Sequence, residues 1–139
     1  MNPENKLVEL QQTLYTSSNP TRRWLHCTRR DWIFGALRHT VGERHERAIE
    51  VGPGSGIYLP TLAQFYDEVV ALDIEQVYLD HLSHLTGIHK NLALIIDDIT
   101  ASNLPDATFD LVLCTDHRAF SGSAPRSSHA EFGDCWKQP

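Results

Sequence analysis

Seven consecutive residues, Glu50-Val51-Gly52-Pro53-Gly54-Ser55-Gly56, carry the most specific chemistry in this chain. A short apolar lead, Ala48-Ile49, precedes them, and the helix-like run Ile57–Phe65 follows. Strand, glycine turn and helix together can cradle a nucleotide-type ligand. Glycines allow a sharp turn and close backbone approach, and the start of a helix offers N–H groups without intrahelical partners. Seventeen residues beyond Gly56 stands Asp73, at the end of a second apolar run, Glu68-Val69-Val70-Ala71-Leu72. A carboxylate there can accept hydrogen bonds from both hydroxyls of a ribose.

The glycine spacing narrows the ligand. A dinucleotide fingerprint, G-x-G-x-x-G, requires glycine at position 57, where this chain has Ile57. The pattern is instead E-x-G-x-G-x-G, and with Asp73 it resembles motifs I and II of the class I S-adenosylmethionine (SAM)-dependent methyltransferases. Two further stretches extend the resemblance in order. Ala93-Leu94-Ile95-Ile96-Asp97-Asp98-Ile99-Thr100 is similar to that family's third strand and acidic, adenine-facing turn. Leu104-Pro105-Asp106-Ala107-Thr108-Phe109-Asp110-Leu111-Val112-Leu113-Cys114-Thr115-Asp116 is similar to its run into strand four.

The resemblance implies roles for individual residues. The amino-acid part of SAM would lie over Gly52, Gly54 and Gly56, with Glu50 supporting its ammonium directly or through water. Asp73 would take the ribose, in competition with a capping role for the helix that follows. Ile74 would be an apolar wall for the adenine, Asp98 would meet its amino group, and the Ile99 backbone a ring nitrogen. Asp97 is an alternative to Asp98. Thr115 and Asp116 would leave strand four at the carboxyl edge of the sheet, where ligands bind in such folds. No catalytic base is named. Cys114 has no activating partner nearby in sequence, and a buried structural thiol is the simpler reading.

The elements needed to position these residues can be read from periodicity. Asn19-Pro20 reads as a helix start, followed by a helix over 21–39. Leu25, Trp32, Ile33, Ala36 and Leu37 fall roughly on one of its faces. Arg22, Arg23, Arg29, Arg30 and Arg38 lie largely elsewhere, as a solvated face or as contacts for an anionic substrate. Tyr15 and Trp24 are candidate lid residues. Strands are expected at 47–51, 68–73, 92–96 and 109–114, with helices at 57–66 and 75–86. Strands alternating with helices imply an α/β fold, a partial Rossmann-like parallel sheet with helices on both faces. The resemblance implies strand order 3-2-1-4. His81 and His84 share a helix face, but spacing specifies no third ligand, so no metal is expected.

Three segments are expected: an N-terminal helical cap over 1–46, a SAM-binding half domain over 47–116, and an irregular tail over 117–139. The tail lacks either structural period, and the pattern breaks abruptly after Asp116. That break favours a frameshift or truncation product over a native short terminus. With the remaining strands of such a family missing, strand four is expected at an edge where copies can associate.

The 139 residues are 41% hydrophobic and 22% charged, which fits a globular domain. The net charge of −6 argues against a general nucleic-acid binder while leaving room for a local basic face. Three scattered cysteines imply free thiols and a reducing compartment. No run is long enough to span a bilayer, and the expected location is cytoplasmic. The leading functional expectation is methyl transfer from SAM to a small-molecule acceptor, with no nucleic-acid partner. Whether the chain itself is catalytic stays open. A non-catalytic SAM-binding or protein-interaction module and an NAD(P)-binding fragment are the alternatives.

Overall fold

The computed structural model describes residue 9 and residues 13–39, 45–105 and 107–115. A 3-10 turn, Thr13–Thr16, leads into the helix α1, Pro20–His39. Then follow β1 (His45–Val51), α2 (Leu59–Phe65), β2 (Tyr66–Asp73), α3 (Gln76–Ile88), β3 (Leu92–Ile96) and β4 (Leu111–Cys114). All strand pairs are parallel, in the order β3-β2-β1-β4. This is the α/β architecture and strand order expected from the sequence.

Crossover direction dictates where the helices lie. The chain steps from β1 to β2 to β3 in one direction across the sheet, so right-handed connections place α2 and α3 on the same face. There Ala48, Val69, Ala71 and Leu92 pack with Ile33 and Leu37 of α1, Leu59 and Leu62 of α2, and Leu82 of α3. The return from β3 to β4 runs the other way and crosses the opposite face. In this chain that connection, residues 97–110, contains no helix among the described residues. Ile49, Val51, Val70 and Leu72 are covered there by Ile95, Ile99, Leu104 and Phe109. The expected helix layer on this second face is therefore replaced by an apolar loop.

Element boundaries shift for local reasons. β2 begins at Tyr66, directly after α2, because Asn91 Nδ2 donates to both Ala63 O and Tyr66 O, each at 2.8 Å, closing the corner. β1 reaches back to His45, whose ring stacks on that of Tyr66 at 5.2 Å. β4 starts at Leu111, later than expected, since Asp110 acts as a clamp. Its Oδ2 accepts from the N–H groups of Arg47 (2.9 Å) and Glu46 (2.8 Å). These bonds hold its pKa below the usual carboxylate value.

α1 differs most from expectation. Its start is as read: Asn19 Oδ1 accepts from Arg22 N–H at 3.0 Å, and Pro20 is the first helical residue. Its inner face is not. Ile33 and Leu37 are buried, but Leu25 and Trp32 are 58% and 73% exposed, and Ala36 is exposed as well. At 100° per residue the five apolar positions span an arc of about 140°. The sheet covers one side of that arc and leaves the other open.

Candidate functional site

Strand β1 ends at Val51, and three left-handed glycines then turn the chain: Gly52 at φ 66°, Gly54 at φ 53° and Gly56 at φ 68°. L side chains rarely adopt such values, so the triple glycine is a steric requirement. Gly52 N–H still bonds Leu72 O at 2.9 Å, which continues the β1–β2 ladder into the turn. Gly56 N–H closes onto Pro53 O at 2.8 Å. A Cβ on Gly56 would strike Leu82 Cδ2 and press on Leu59 Cδ1 at 3.3 Å. Gly56 thus permits α3 to pack against the turn, while Gly52 and Gly54 line an open cleft.

Glu50 lies one residue before the end of β1, on the helix-bearing face, and is fully buried. Neither carboxylate oxygen has a hydrogen-bond partner. Burial pushes its pKa up to about 8, so at neutral pH the group holds a proton. Tyr58, at the threshold of α2, is buried too, and its hydroxyl makes no regular hydrogen bond. Burial raises its pKa, and the neighbouring Tyr15 raises it further. Tyr15 is also shifted upward by burial, with Arg29 and Arg30 opposing. Tyr58 is absent from the expected site. Its place two residues after the glycine turn was the available signal, but its meaning depends on Glu50 and Tyr15, which belong to other elements.

The cleft is floored by Gly52–Ser55 and walled by Tyr15, Arg29, Tyr58 and Thr115. Arg29 closes one lip, its Nη1 donating to Thr115 O at 3.2 Å. Tyr15 is held by Arg30, whose guanidinium lies 5.4 Å from the ring centroid. Asp73 ends β2 and is 7% exposed, on the same sheet face as Glu50. Its Oδ1 accepts from Glu75 N–H at 2.9 Å, so it shapes the turn ahead of α3, whose N-cap position is Glu75. Ile74 is exposed beside it.

The acidic turn after β3 is organised internally. Asp98 is exposed, and its Oδ1 accepts from both Thr100 N–H (2.9 Å) and Thr100 Oγ1–H (2.7 Å). These bonds lower its pKa. Asp97 Oδ1 accepts from Asp98 N–H at 2.8 Å. The side chain of Ile99 packs into the second apolar cluster. Asp116 lies outside the described residues. Cys114 is exposed, which corrects the buried reading: among the described residues β4 pairs with β1 alone, and its outer side is open.

The family profile described as "methyltransferase domain" matches residues 49–131. The chain belongs to the methyltransferase domain family. The cofactor of this family and of its SAM-dependent structural neighbours is S-adenosylmethionine. Among curated proteins, ribosomal RNA small subunit methyltransferase A of Levilactobacillus brevis is 35% identical over 66 residues, 48% of this chain and 22% of that protein. The domain thus spans less than a quarter of the length of that relative. Among solved structures, the DhpI–SAH complex aligns with TM-score 0.56 at 15% identity, covering 96% of this chain and 62% of that one. A dimethyladenosine transferase from Plasmodium falciparum aligns with TM-score 0.55 at 14% identity, covering 76% and 36%. At such identities these structures share the fold alone.

The comparisons correct one expectation. A small-molecule acceptor with no nucleic-acid partner conflicts with relatives named for ribosomal RNA. The error came from using total charge, which says nothing of how the charge is distributed. Among the described residues, no helix is long and apolar enough to cross a membrane.

Proposed function

We propose that this methyltransferase domain binds SAM in the cleft over Gly52–Ser55 and serves methyl transfer to RNA. The observation that carries the cofactor reading is Glu50, a fully buried carboxyl whose two oxygens lack partners at the carboxyl edge of the sheet. An orphaned buried carboxyl beside a glycine turn suits a cationic, amide-seeking ligand. SAM supplies a methyl group on a sulfonium, ready for in-line displacement by an acceptor.

The chain's own residues supply binding and orientation. Glu50 takes the ammonium and releases its proton as it does so. Gly52 and Gly54 let the backbone come close to the amino-acid part, and Gly56 sets the helix packing behind them. Asp73 accepts from the ribose hydroxyls, using whatever acceptor capacity its bond from Glu75 leaves. Ile74, Asp98 and the Ile99 backbone serve the adenine, and Thr115 borders the cleft. The segment before residue 47 acts as the cap through Tyr15 and Arg29. The RNA acceptor is supported by the curated relatives named for ribosomal RNA.

The test is an S-adenosylhomocysteine (SAH) titration of the full chain and of Asp73→Ala. Saturable binding, weakened at least about tenfold in the variant while its circular dichroism is unchanged, is the expected result. Equal binding by both proteins would remove Asp73 from the site.

A further inference from the structure

We infer that the outer face of α1, with Trp24, Leu25 and Trp32 bordered by Arg22, Arg29 and Arg38, is a docking surface for single-stranded RNA; this deepens the proposed function and rests on its RNA acceptor. Trp24 and Trp32 are 66% and 73% exposed, each turned by about 100° or more around the helix axis from the buried Ile33 and Leu37. Helical spacing puts Trp24, Thr28 and Trp32 on one ridge, with Leu25 and Arg29 on the next. Two tryptophans about 12 Å apart along the axis give more than one flat platform.

Charge indicates what the platforms receive. α1 carries five arginines against the single Asp31, in a chain of net charge −6. That acid is already paired, Arg30 Nη2 to Asp31 Oδ1 at 2.7 Å. Three of those arginines, Arg22, Arg29 and Arg38, flank the exposed aromatic stripe, while Arg23 and Arg30 turn to the other side, toward Ser17 O and the Tyr15 ring. A partner that fits must be anionic along its length and must present flat apolar faces at intervals. Phosphates and unpaired bases meet both demands, since bases stack on aromatic side chains while arginines follow the backbone. A duplex keeps its bases stacked on each other and cannot use the tryptophans in this way. Position adds a further argument. Arg29 belongs both to the stripe and to the cleft, where it bonds Thr115 O. A strand lying on α1 is thus led to the lip of the cofactor cleft.

The experiment is a fluorescence-anisotropy titration of a labelled, mixed-sequence, single-stranded oligoribonucleotide with the full chain. It is repeated with Trp24→Ala/Trp32→Ala and with Arg22→Gln/Arg38→Gln, and SAH binding is measured in parallel on every protein. The expected results are saturable binding by the native chain and a loss of about tenfold or more in the tryptophan variant. The arginine variant should show a log–log salt slope shallower by about 1.4. SAH binding should stay unchanged throughout, since none of these four side chains lines the cleft. Native-like RNA affinity in the tryptophan variant overturns the inference, as does absence of RNA binding by a native chain that still binds SAH. Tryptophan-dependent self-association in sedimentation, or tryptophan-dependent flotation with phosphatidylserine vesicles, overturns it too if RNA binding is unaffected by the substitutions. RNA binding without SAH binding would leave the docking surface standing and sink the cofactor reading.

Discussion

The floor of the cleft and its wall obey different physics. The floor runs from β1 through the glycine turn to β2, and it is closely packed. Ala48, Ile49, Glu50 and Val51 are all at most 2% exposed, and the Gly56 position has no room for a methyl group. The wall, α1, rests on the sheet through Ile33 and Leu37 and turns two tryptophans outward. In the floor, steric fit dictates residue type, and substitutions cost stability. On the outer wall, side chains can be exchanged without disturbing the fold, so their types report on what the surface meets.

The sharpest way to break this comparison is at Gly56. Gly56→Ala combines a left-handed φ with a clash against Leu82, and should cost about 2–4 kcal/mol in urea unfolding. A loss below about 0.5 kcal/mol would show that the floor yields easily.

Glu50 comes next. Its folded pKa is raised from 4.5 to about 8, so the folded chain keeps a proton that the unfolded chain releases near pH 4.5. Stability of the ligand-free protein must therefore fall as pH climbs from there through about 8, by on the order of 5 kcal/mol. Glu50→Gln should flatten that slope, as read from denaturation midpoints across pH. A native slope equal to the variant's would mean that the carboxyl is solvated.

Smaller effects are expected along the wall. Asn19→Ala removes the side-chain acceptor for Arg22 N–H and should cost about 1 kcal/mol. Trp24→Ala and Trp32→Ala should each change stability by less than about 0.5 kcal/mol, which thermal melts would detect. A larger loss would mean that α1 buries these rings, and the contrast between floor and wall would fail.

The same division explains what could be read from the sequence. The glycine turn and the helix start at Asn19 were legible because each depends on local spacing and backbone sterics, whereas the strand order followed from the family resemblance. The inward side of α1 was not legible. Periodicity identifies residues that share a face, yet the sheet decides which edge of a broad apolar arc it covers. Tyr58 escaped notice because its neighbours Glu50 and Tyr15 come from separate elements. Among the described residues the second face carries no helix, because Ile99, Leu104 and Phe109 from the loop between β3 and β4 cover it. Total charge misdirected the partner reading because a sum carries no information on where the charges lie. The tail expected over 117–139 lies outside the described residues.

The most direct test of the central claim, that the orphaned Glu50 carboxyl receives the ligand's ammonium, is calorimetric. SAH is titrated into the full chain at about pH 6.5 in two buffers of different ionisation enthalpy, and the difference in heat counts the protons exchanged. The account predicts release of about one proton per SAH bound, falling away above about pH 8 and absent in Glu50→Gln. Binding whose heat is independent of the buffer, or a folded chain that binds no SAH, would contradict it.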